Sequence, residues 1–241
     1  MGVQSTSERF IGGKHPIRDN LLLYFDTGNI NSYNNTGTTW YDLSGNTTNS
    51  TLENDGMIDT SDNKGPMFQF DGNNDFIDIN QKILFASATS NISIEIWFRV
   101  GSINLSGLAN QGAGQSSFGV ELTQNGKVQM VARGGATAQA TSTTTLVAGK
   151  YYHAVGTYAT TPSTKIYLNG KFEAQSTTNP SITVASLVDT NFKIGHSDES
   201  SDSSKSSFFD GKVAILRFYE KTLSADEVAY NFNVDRGRFQ I

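Results

Sequence analysis

Apolar and polar residues alternate with a period of two along several segments of this chain. The clearest segment is NISIEIWFRV, residues 91–100, in which Ile92, Ile94 and Ile96 fall on one face and Glu95 and Trp97 on the other. A period of two is the signature of a β-strand whose successive side chains point to opposite faces. The pattern therefore predicts a strand with one face in a core and a partly wet opposite face, with Trp97 packing under a loop or against a second sheet.

Similar alternation or short apolar runs predict further strands at 21–25, 67–79, 118–133, 151–159, 164–175, 192–195 and 213–218. Asn-Gly dipeptides favour tight hairpin turns. They predict hairpins at Asn125-Gly126 and Asn169-Gly170, and Asp71-Gly72 predicts a turn inside 67–79. The glycine clusters QGAGQ and RGGA are predicted to be turns. The expected fold class is therefore all-β.

One helix is predicted near the end of the chain, in the segment TLSADEV. Ser224 and Glu227 form a capping box, and Leu223 and Val228 occupy the two positions of a hydrophobic staple. Val228, Ala229 and Phe232 supply a short apolar stripe. We expect this short C-terminal helix to lie across the sandwich and cover an open end of its core.

Composition narrows the function classes. The chain has 241 residues, no cysteine and a net charge of −5, and its Lys and Arg residues are scattered. Disulfides and thiolate chemistry are excluded, and neither nucleic acid nor an anionic membrane is an expected partner. The first 20 residues lack the apolar segment of a signal peptide, and no stretch approaches 18 apolar residues. We expect a protein that is made in a cytoplasm.

The carboxylates of the predicted strands do not form a catalytic pair. Retaining glycoside hydrolysis needs two carboxyl groups about 5 Å apart, which on one strand means two positions apart. Asp75 and Asp78 are three positions apart, and Glu95 and Glu121 each stand alone. His153 is expected to be a buried structural histidine. The sequence predicts no enzyme activity.

Two aromatic residues in a polar region have two interpretations. Trp40 and Tyr41 lie among Asn, Thr and Gly residues, as sugar-stacking side chains do. Trp40 is equally compatible with plugging one end of the sandwich. Both interpretations stay open at this stage, with Trp40 and Tyr41 as the candidate glycan-binding residues.

Four motifs occur in a familiar order: FQFDGNNDFIDI, ISIEIWFRV, YYHAVGTYATTPSTKIYLNGKFEA, and FKIG followed by FFDGKVAILRFYEKTLSADEV. In this order they resemble laminin-G-like, pentraxin-related jelly-roll domains of the concanavalin A-like lectin and glucanase superfamily, over residues 20–232. The resemblance implies a two-sheet antiparallel jelly-roll sandwich with one C-terminal helix beside it. We expect a single domain at 21–241, preceded by an N-terminal arm at 1–20.

The same resemblance implies a calcium site. Pentraxin-like relatives carry acidic and amide ligands in the loop after the Ile-Gly strand, with help from a second loop, here residues 110–116. The implied ligands in this chain are Asp198, Glu199, Asp202 and Gln115. His196 and Ser197 depart from the relatives' pattern, and a solvated acidic loop is the alternative.

The flanking stretches LLLYFDTGNINSYNNTGTTWYDLSGN and YNFNVDRGRFQI are similar to parts of tailed-bacteriophage structural proteins. This resemblance implies a non-enzymatic virion protein, a capsid decoration or tail appendage, that binds capsid or tail proteins, forms a homo-oligomer and contacts a host-surface glycan. A free calcium-dependent lectin module is the alternative. The expected anchoring residues are Arg9, Phe10, Arg18, Arg236 and Arg238.

Overall fold

A computed structural model of the chain describes residues 15–53, 57–60, 63–80, 91–113, 116–134, 136–159, 163–178, 191–197 and 207–241. The elements in chain order are β1 (Leu21–Asp26), β2 (Thr39–Trp40), β3 (Ser50–Glu53), β4 (Ile58–Asp59), β5 (Met67–Asp71), β6 (Phe76–Asp78), β7 (Ile92–Val100), β8 (Ser106–Ala113), β9 (Ser116–Leu122), β10 (Val128–Gly134), β11 (Thr137–Thr141), β12 (Tyr151–Ala159), β13 (Ser163–Leu168), β14 (Lys171–Ser176), β15 (Lys193–Ile194), β16 (His196–Ser197), β17 (Ser207–Phe208), β18 (Asp210–Tyr219) and the helix α1 (Ala225–Phe239).

Two eight-stranded sheets make up the architecture. The first sheet has the order β14-β13-β12-β7-β18-β5-β4, with β1 also paired to β18, and the second has the order β11-β10-β9-β8-β15-β6-β3-β2. The paired strands are antiparallel, and β16 and β17 form a short separate pair. The chain passes repeatedly from one sheet to the other, which is the topology of a jelly-roll sandwich. The predicted fold class is confirmed.

The segment 67–79 shows how the chain changes sheets. We expected two strands around a turn at Asp71-Gly72, and both strands exist as β5 and β6. However, β5 pairs with β4 and β18 in the first sheet, whereas β6 pairs with β3 and β15 in the second. The turn therefore connects the two sheets. It does not close a hairpin, because β5 and β6 pair with strands of different sheets and not with each other.

The two Asn-Gly hairpins are confirmed, with different turns. In the β13–β14 hairpin Leu168 pairs with Lys171, and Asn169 and Gly170 have φ angles of 50° and 75°. A two-residue loop with two positive φ angles is the type I′ turn that Asn-Gly favours. In the β9–β10 hairpin Leu122 pairs with Val128, so the connection is longer.

The pattern of apolar and polar residues did not predict two strands of the second sheet. β8 (SGLANQGA) and β11 (TAQAT) contain mostly small or polar residues, and part of β8 was predicted to be a turn within QGAGQ. Strand pairing imposes their extended conformation, because β8 lies between β9 and β15 and β11 continues from β10. The predicted turn at RGGA includes Gly135, which lies outside the described residues; Arg133 and Gly134 belong to β10.

The helix α1 carries the predicted capping box. Ser224 Oγ accepts the Glu227 N–H at 3.2 Å, and Glu227 Oε2 accepts the Ser224 N–H at 2.9 Å. These bonds satisfy two N–H groups that a helix start otherwise leaves unpaired. At the other end Gln240 adopts a left-handed conformation and its N–H bonds to Arg236 O. No helix among the described residues is long and apolar enough to span a membrane.

The position of α1 differs from the prediction. The helix lies on the outer face of the first sheet and not over an open end of the core. Val228 and Phe239 pack there with Trp97, Ile215 and other residues of the sheet, forming a second apolar cluster outside the main core. This also corrects the prediction for β7: the face that we expected to be partly wet is buried at Ser93, Glu95 and Trp97, because the helix covers it.

Residues 15–20 run beside the helix before β1 begins. Ile17 donates its N–H to Asn231 Oδ1 of α1 at 2.9 Å, and the Asp19 carboxylate lies 3.0 Å from Lys221 Nζ. These contacts fix the end of the predicted arm on the helix side of the sandwich. Residues 1–14 of that arm lie outside the described residues.

Candidate functional site

Glu95 lies in the middle of β7, on the outer face of the first sheet and beneath α1. Its Oε1 accepts hydrogen bonds from Arg217 Nη1 at 2.7 Å and His153 Nε2 at 3.1 Å. Its Oε2 accepts from Asn231 Nδ2 at 2.7 Å and lies 3.4 Å from the hydroxyl of Tyr219. Three strands and the helix therefore converge on one carboxylate.

The electrostatics of this cluster keep Glu95 ionised. Burial by itself would raise the pKa of Glu95, but the charge of Arg217 and the hydrogen bonds from His153 and Asn231 lower that pKa to about 2. Asp235 of α1 lies 2.8 Å from Arg217 Nη2, although the N–H is not aligned for a hydrogen bond. Burial raises the pKa of Asp235 despite the attraction of Arg217.

This cluster has no access to a ligand. Glu95, His153 and Arg217 are each 0% exposed. The imidazole of His153 packs against Trp97, at 4.7 Å, and Phe232, at 5.6 Å, so His153 is the buried structural histidine that we expected. The cluster holds the helix on the sheet, and Glu95 cannot act on a substrate.

The second sheet presents a different outer face. We call six of its residues the polar row: Ser117 and Glu121 on β9, Gln129 and Arg133 on β10, and Gln139 and Thr141 on β11. Strand register places them together, because directly paired residues share a face: Glu121 pairs with Gln129, and Gln129 with Thr141. The alternate residues Phe118 and Val120 point into the core.

Hydrogen bonds connect the polar row from end to end. Arg133 donates from Nη1 and Nη2 to the two oxygens of Glu121 at 3.0 and 3.3 Å, and from Nη1 to Ser117 Oγ at 3.0 Å. Gln129 Nε2 donates to Glu121 Oε2 at 3.0 Å, and Gln129 Oε1 accepts from Thr141 Oγ1 at 3.2 Å and from Gln139 Nε2.

The polar row reaches solvent at Gln139, Arg133 and Thr141, whereas Ser117, Glu121 and Gln129 are buried. Glu121 is 2% exposed, the side chain of Arg133 is 17% exposed, and Gln139 is exposed. Glu121 is neutralised by the bidentate contact with Arg133 and is the only carboxylate of the row. Glu95 and Glu121 lie on the outer faces of opposite sheets, with the core between them, so they cannot act as a catalytic pair. The row can bind by hydrogen bonding but offers no two-carboxylate chemistry.

An aromatic cluster lies at the other end of the same face. The ring of His196 is 4.4 Å from the ring of Phe208 and 5.7 Å from the ring of Phe76, and Lys193 Nζ lies 5.3 Å from the Phe76 centroid. Sequence reasoning missed this cluster because its members lie on four separate short strands. The only signal was Phe76, which alternates with the core residue Ile77.

The two candidate glycan-binding residues, Trp40 and Tyr41, differ in their exposure to solvent. Trp40 is 0% exposed, and its indole packs against Phe25 at 5.1 Å and Phe68 at 4.8 Å, so it plugs the sandwich and has no free face for a sugar. The stacking interpretation of Trp40 is therefore corrected. Tyr41, the next residue, is 47% exposed.

The implied calcium ligands Asp198, Glu199, Asp202 and Gln115 lie outside the described residues. Asn110 and Gln111, which we placed in the second calcium loop, are buried in β8. The described residues hold no group of three His, Asp or Glu side chains arranged for a metal.

The predicted anchoring residues have different surroundings in the structure. Arg9 and Phe10 lie outside the described residues. Arg18 and Arg236 are exposed. Arg238 instead binds its own chain: Nη1 donates to Asp26 Oδ1 at 2.7 Å and Nε to Lys64 O at 2.7 Å. These contacts use the donors of Arg238 and correct its assignment as an anchor to a partner.

A protein-family model described as the concanavalin A-like lectin/glucanases superfamily matches residues 71–229. No curated protein sequence is significantly similar to the chain.

Several solved structures are similar to this fold. The binding domain of Paraclostridial Mosquitocidal Protein 1 has a TM-score of 0.66 and 17% identity, covering 90% of this chain and 52% of that chain. Domain 4 of AbnA, an extracellular arabinanase from Geobacillus stearothermophilus solved with arabinotriose, has a TM-score of 0.65 and 18% identity, covering 87% and 97%. The receptor-binding domain of botulinum neurotoxin D has a TM-score of 0.61 and 16% identity, covering 90% and 53%. This chain thus spans about half the length of the mosquitocidal-protein and neurotoxin chains. At these identities the likeness shows the fold alone.

Proposed function

Because this chain belongs to the concanavalin A-like lectin/glucanases superfamily, we propose that it is a non-catalytic binding protein that recognises a glycan through the outer face of its second sheet. The observation that carries this proposal is the polar row. Its amide, hydroxyl and guanidinium groups are already oriented by one another, and its single carboxylate is paired. Polar groups held in place before binding lose less conformational entropy when a ligand arrives.

The neighbours support a binding role. One is described as the binding domain of a mosquitocidal protein, one as the receptor-binding domain of a botulinum neurotoxin, and one is a domain of an arabinanase in complex with arabinotriose. A sugar presents many hydroxyl groups, each a donor and an acceptor, and the polar row offers both kinds of partner along three adjacent strands. Tyr41 lies elsewhere on the surface and stays a separate candidate for glycan contact.

We further propose that the protein belongs to a tailed-phage virion, where it binds capsid or tail proteins. The resemblance of the flanking segments supports this assignment. Residues 15–20 dock beside α1, on the outer face of the first sheet. Attachment through the arm would therefore hold the helix side toward the particle and leave the polar row on the opposite side.

A printed array of oligosaccharides tests glycan recognition. We compare the wild type with two variants at exposed glutamines on the edge strands of the two sheets: Gln139→Ala in the polar row and Gln175→Ala on β14. We expect Gln139→Ala to weaken binding about tenfold, equal to about 1.4 kcal/mol, and Gln175→Ala to bind as the wild type does. Equal binding by both variants would remove the polar row from the proposal.

Two further arms address the alternatives. Incubation with a panel of polysaccharides should release no sugar, and release would overturn the non-catalytic assignment. Repeating the array with a chelator tests calcium at Asp198, Glu199, Asp202 and Gln115, which the family resemblance implies. Loss of binding with the chelator would favour the calcium-dependent lectin.

The virion assignment has its own test. Deleting residues 1–14 keeps the docked segment 15–20, so incorporation into purified phage particles can be compared for the full and the shortened chain, with circular dichroism of both chains as the folding control. We expect the shortened chain to be missing from the particles. Equal incorporation of both chains would contradict the anchoring role of the arm.

A further inference from the structure

The two sheets come together along one side of the sandwich, where their edge strands β11 and β14 are in contact. Ala138 and Ala140 of β11 belong to the main core, and Ala174 of β14 packs against it. Small side chains at these positions let the two edges approach closely without leaving a void. The loop that follows β11, residues 142–145, therefore lies within reach of β14.

A β-bulge directs Glu173 out of the β13–β14 ladder. Ile166 pairs with Ala174, and the next pair is Tyr167 with Phe172. Glu173 is therefore the extra residue of β14 that the register skips. A bulge bends its strand and re-aims a side chain. Here the re-aimed side chain is a carboxylate, and it binds a loop of the opposite sheet.

The Glu173 carboxylate accepts four hydrogen bonds from this loop. Its Oε2 accepts the backbone N–H of Thr143 at 2.9 Å, the backbone N–H of Thr144 at 3.0 Å and the Thr143 hydroxyl. Its Oε1 accepts the Thr144 hydroxyl at 2.8 Å. Burial alone would raise the pKa of Glu173, but the hydrogen bonds from Thr143 and Thr144 lower that pKa, so the loop binds an ionised carboxylate.

Lys127 of the second sheet binds the same loop from its other side. Lys127 Nζ donates to Ser142 O at 3.1 Å and to Thr143 O. Ser142 also follows Thr141 along the edge of β10, because its N–H bonds to Val128 O at 2.8 Å. The loop carbonyls are thus bound by the second sheet, and the loop N–H and hydroxyl groups are bound by Glu173 of the first sheet.

We propose that Glu173 is a positioning residue for the polar row, because it holds the end of β11 that carries Gln139 and Thr141. Within the described part of the chain, β11 pairs only with β10, and a strand with one neighbour opens locally at a low free energy. Glu173 fixes the loop directly after Thr141, which keeps Thr141 and Gln139 in contact with Gln129. The inference rests on the proposed function, since Glu173 acts on the glycan through the row.

Hydrogen exchange without a glycan tests the position of β11. Glu173→Gln keeps the shape of the side chain and turns one of its two acceptor groups into a donor. We expect peptides covering residues 137–145 to exchange about tenfold faster, because a hydrogen bond to a charged group is worth about that factor or more. Glu220→Gln, at an exposed position, is the control and should exchange as the wild type does. Unchanged exchange at 137–145 in Glu173→Gln would overturn the proposal.

Glycan affinity tests the consequence for binding. The wild type and Glu173→Gln are titrated with arabinotriose and with each oligosaccharide that binds the wild type on the array. We expect Glu173→Gln to bind about fivefold more weakly, since ordering a loosened side chain on binding costs about that factor. Equal affinity in the two proteins would overturn the proposal.

The two threonines of the loop offer a matched pair of variants. Replacing Thr143 and Thr144 together by Val removes the hydroxyl donors to Glu173 and should weaken glycan binding in the same direction as Glu173→Gln. Replacing both by Ser keeps the hydroxyl donors and should leave the affinity at the wild-type value. Equal weakening by both replacements would show that the contacts to Glu173 are not the cause.

A double-mutant cycle separates positioning from a general loss of stability. If Glu173 acts through the polar row, Glu173→Gln should cost less than about twofold in affinity once Gln139→Ala has removed the exposed end of the row. The full fivefold loss in that background would mean that Glu173 acts independently of the row, and would overturn the proposal.

Failure of this inference is distinguishable from failure of the proposed function. A wild type that binds no oligosaccharide would contradict glycan recognition, and hydrogen exchange would still decide whether Glu173 holds β11. Faster exchange with unchanged affinity would leave glycan recognition in place and remove Glu173 from it.

Discussion

Glu95 and Glu121 occupy comparable positions in the two sheets and have opposite surroundings. Each glutamate lies within a long strand and points to the outer face of its sheet. Glu95 is sealed beneath α1 with Arg217, and both are 0% exposed. Glu121 is also buried, but its partner Arg133 is partly exposed and the hydrogen bonds continue to the exposed Gln139.

The difference comes from the helix. On the first sheet α1 turns an outer face into a second core, and a charge on that face must be fully paired because water cannot reach it. On the second sheet the same alternation of residues produces polar groups that pair with each other and extend to solvent. The helix closes the first face, and the second face carries the polar row that we propose as the binding surface.

We expect the largest loss of unfolding free energy from a substitution at Glu95, beneath α1. Glu95→Gln removes the fully buried carboxylate of the two that lie beside Arg217, and breaking a buried ion pair costs about 3–5 kcal/mol of unfolding free energy. Urea unfolding measures this loss. Glu220→Gln, at an exposed position, is the control and should change stability by less than about 0.5 kcal/mol. A stable Glu95→Gln variant would contradict the sealed network.

The second effect is in pH dependence. The pKa of Glu95 is lowered in the folded protein to about 2 from a reference of 4.5. A lowered carboxyl pKa contributes stability that is complete above pH 4.5 and is lost as pH falls toward 2, here about 3 kcal/mol at 1.36 kcal/mol per unit. Asp235 opposes this trend, because its raised pKa favours proton uptake by the folded state.

Unfolding curves of the wild type and Glu95→Gln between pH 5 and pH 2 measure this dependence. We expect the stability difference between the two proteins to shrink as pH falls. A difference that stays constant over this range would show that Glu95 keeps an ordinary pKa.

A smaller effect is expected when the helix start is weakened. Ser224→Ala removes the side chain that accepts the Glu227 N–H, at a cost of about 1 kcal/mol. Hydrogen exchange of α1 should accelerate, while glycan binding at the polar row should not change. Ser224→Asp is the matched control, since Asp caps helices equally well. Faster exchange in both variants would mean that the cap is not the cause.

We expect the smallest loss of unfolding free energy from a substitution at Glu121, in the polar row. Glu121→Gln leaves Arg133 without its carboxylate, but Arg133 is partly exposed and water can solvate it. We expect a loss below about 1 kcal/mol in urea unfolding, as for partly exposed ion pairs. A loss as large as that of Glu95→Gln would remove the distinction between the two faces.

Local patterns predicted much of this fold. Alternation identified β7, β12 and β18, Asn-Gly dipeptides identified two hairpins, and the capping box identified α1. β8 and β11 were missed because small residues carry no period and neighbouring strands determine their conformation. The face on which α1 lies could not be predicted, since an apolar stripe does not identify the surface that receives it.

The two glutamates differ in predictability for a similar reason. Glu95 meets Arg217 and Asn231 across more than 120 residues of chain, and no local pattern connects them. Glu121 and Gln129 lie on one predicted hairpin, so its register would have placed them side by side. Trp40 was ambiguous because its burial depends on Phe25 and Phe68, which lie on other strands and which no local pattern connects to it.

The most direct test of the account is a map of ligand contacts on both faces. ¹⁵N-labelled protein is titrated with arabinotriose and with each oligosaccharide that binds on the array, and amide shifts are recorded for the whole chain. The account predicts shifts concentrated at β9, β10 and β11 around Gln139, with α1 and the surroundings of Glu95 unchanged. Shifts concentrated at α1, with none in the polar row, would contradict it.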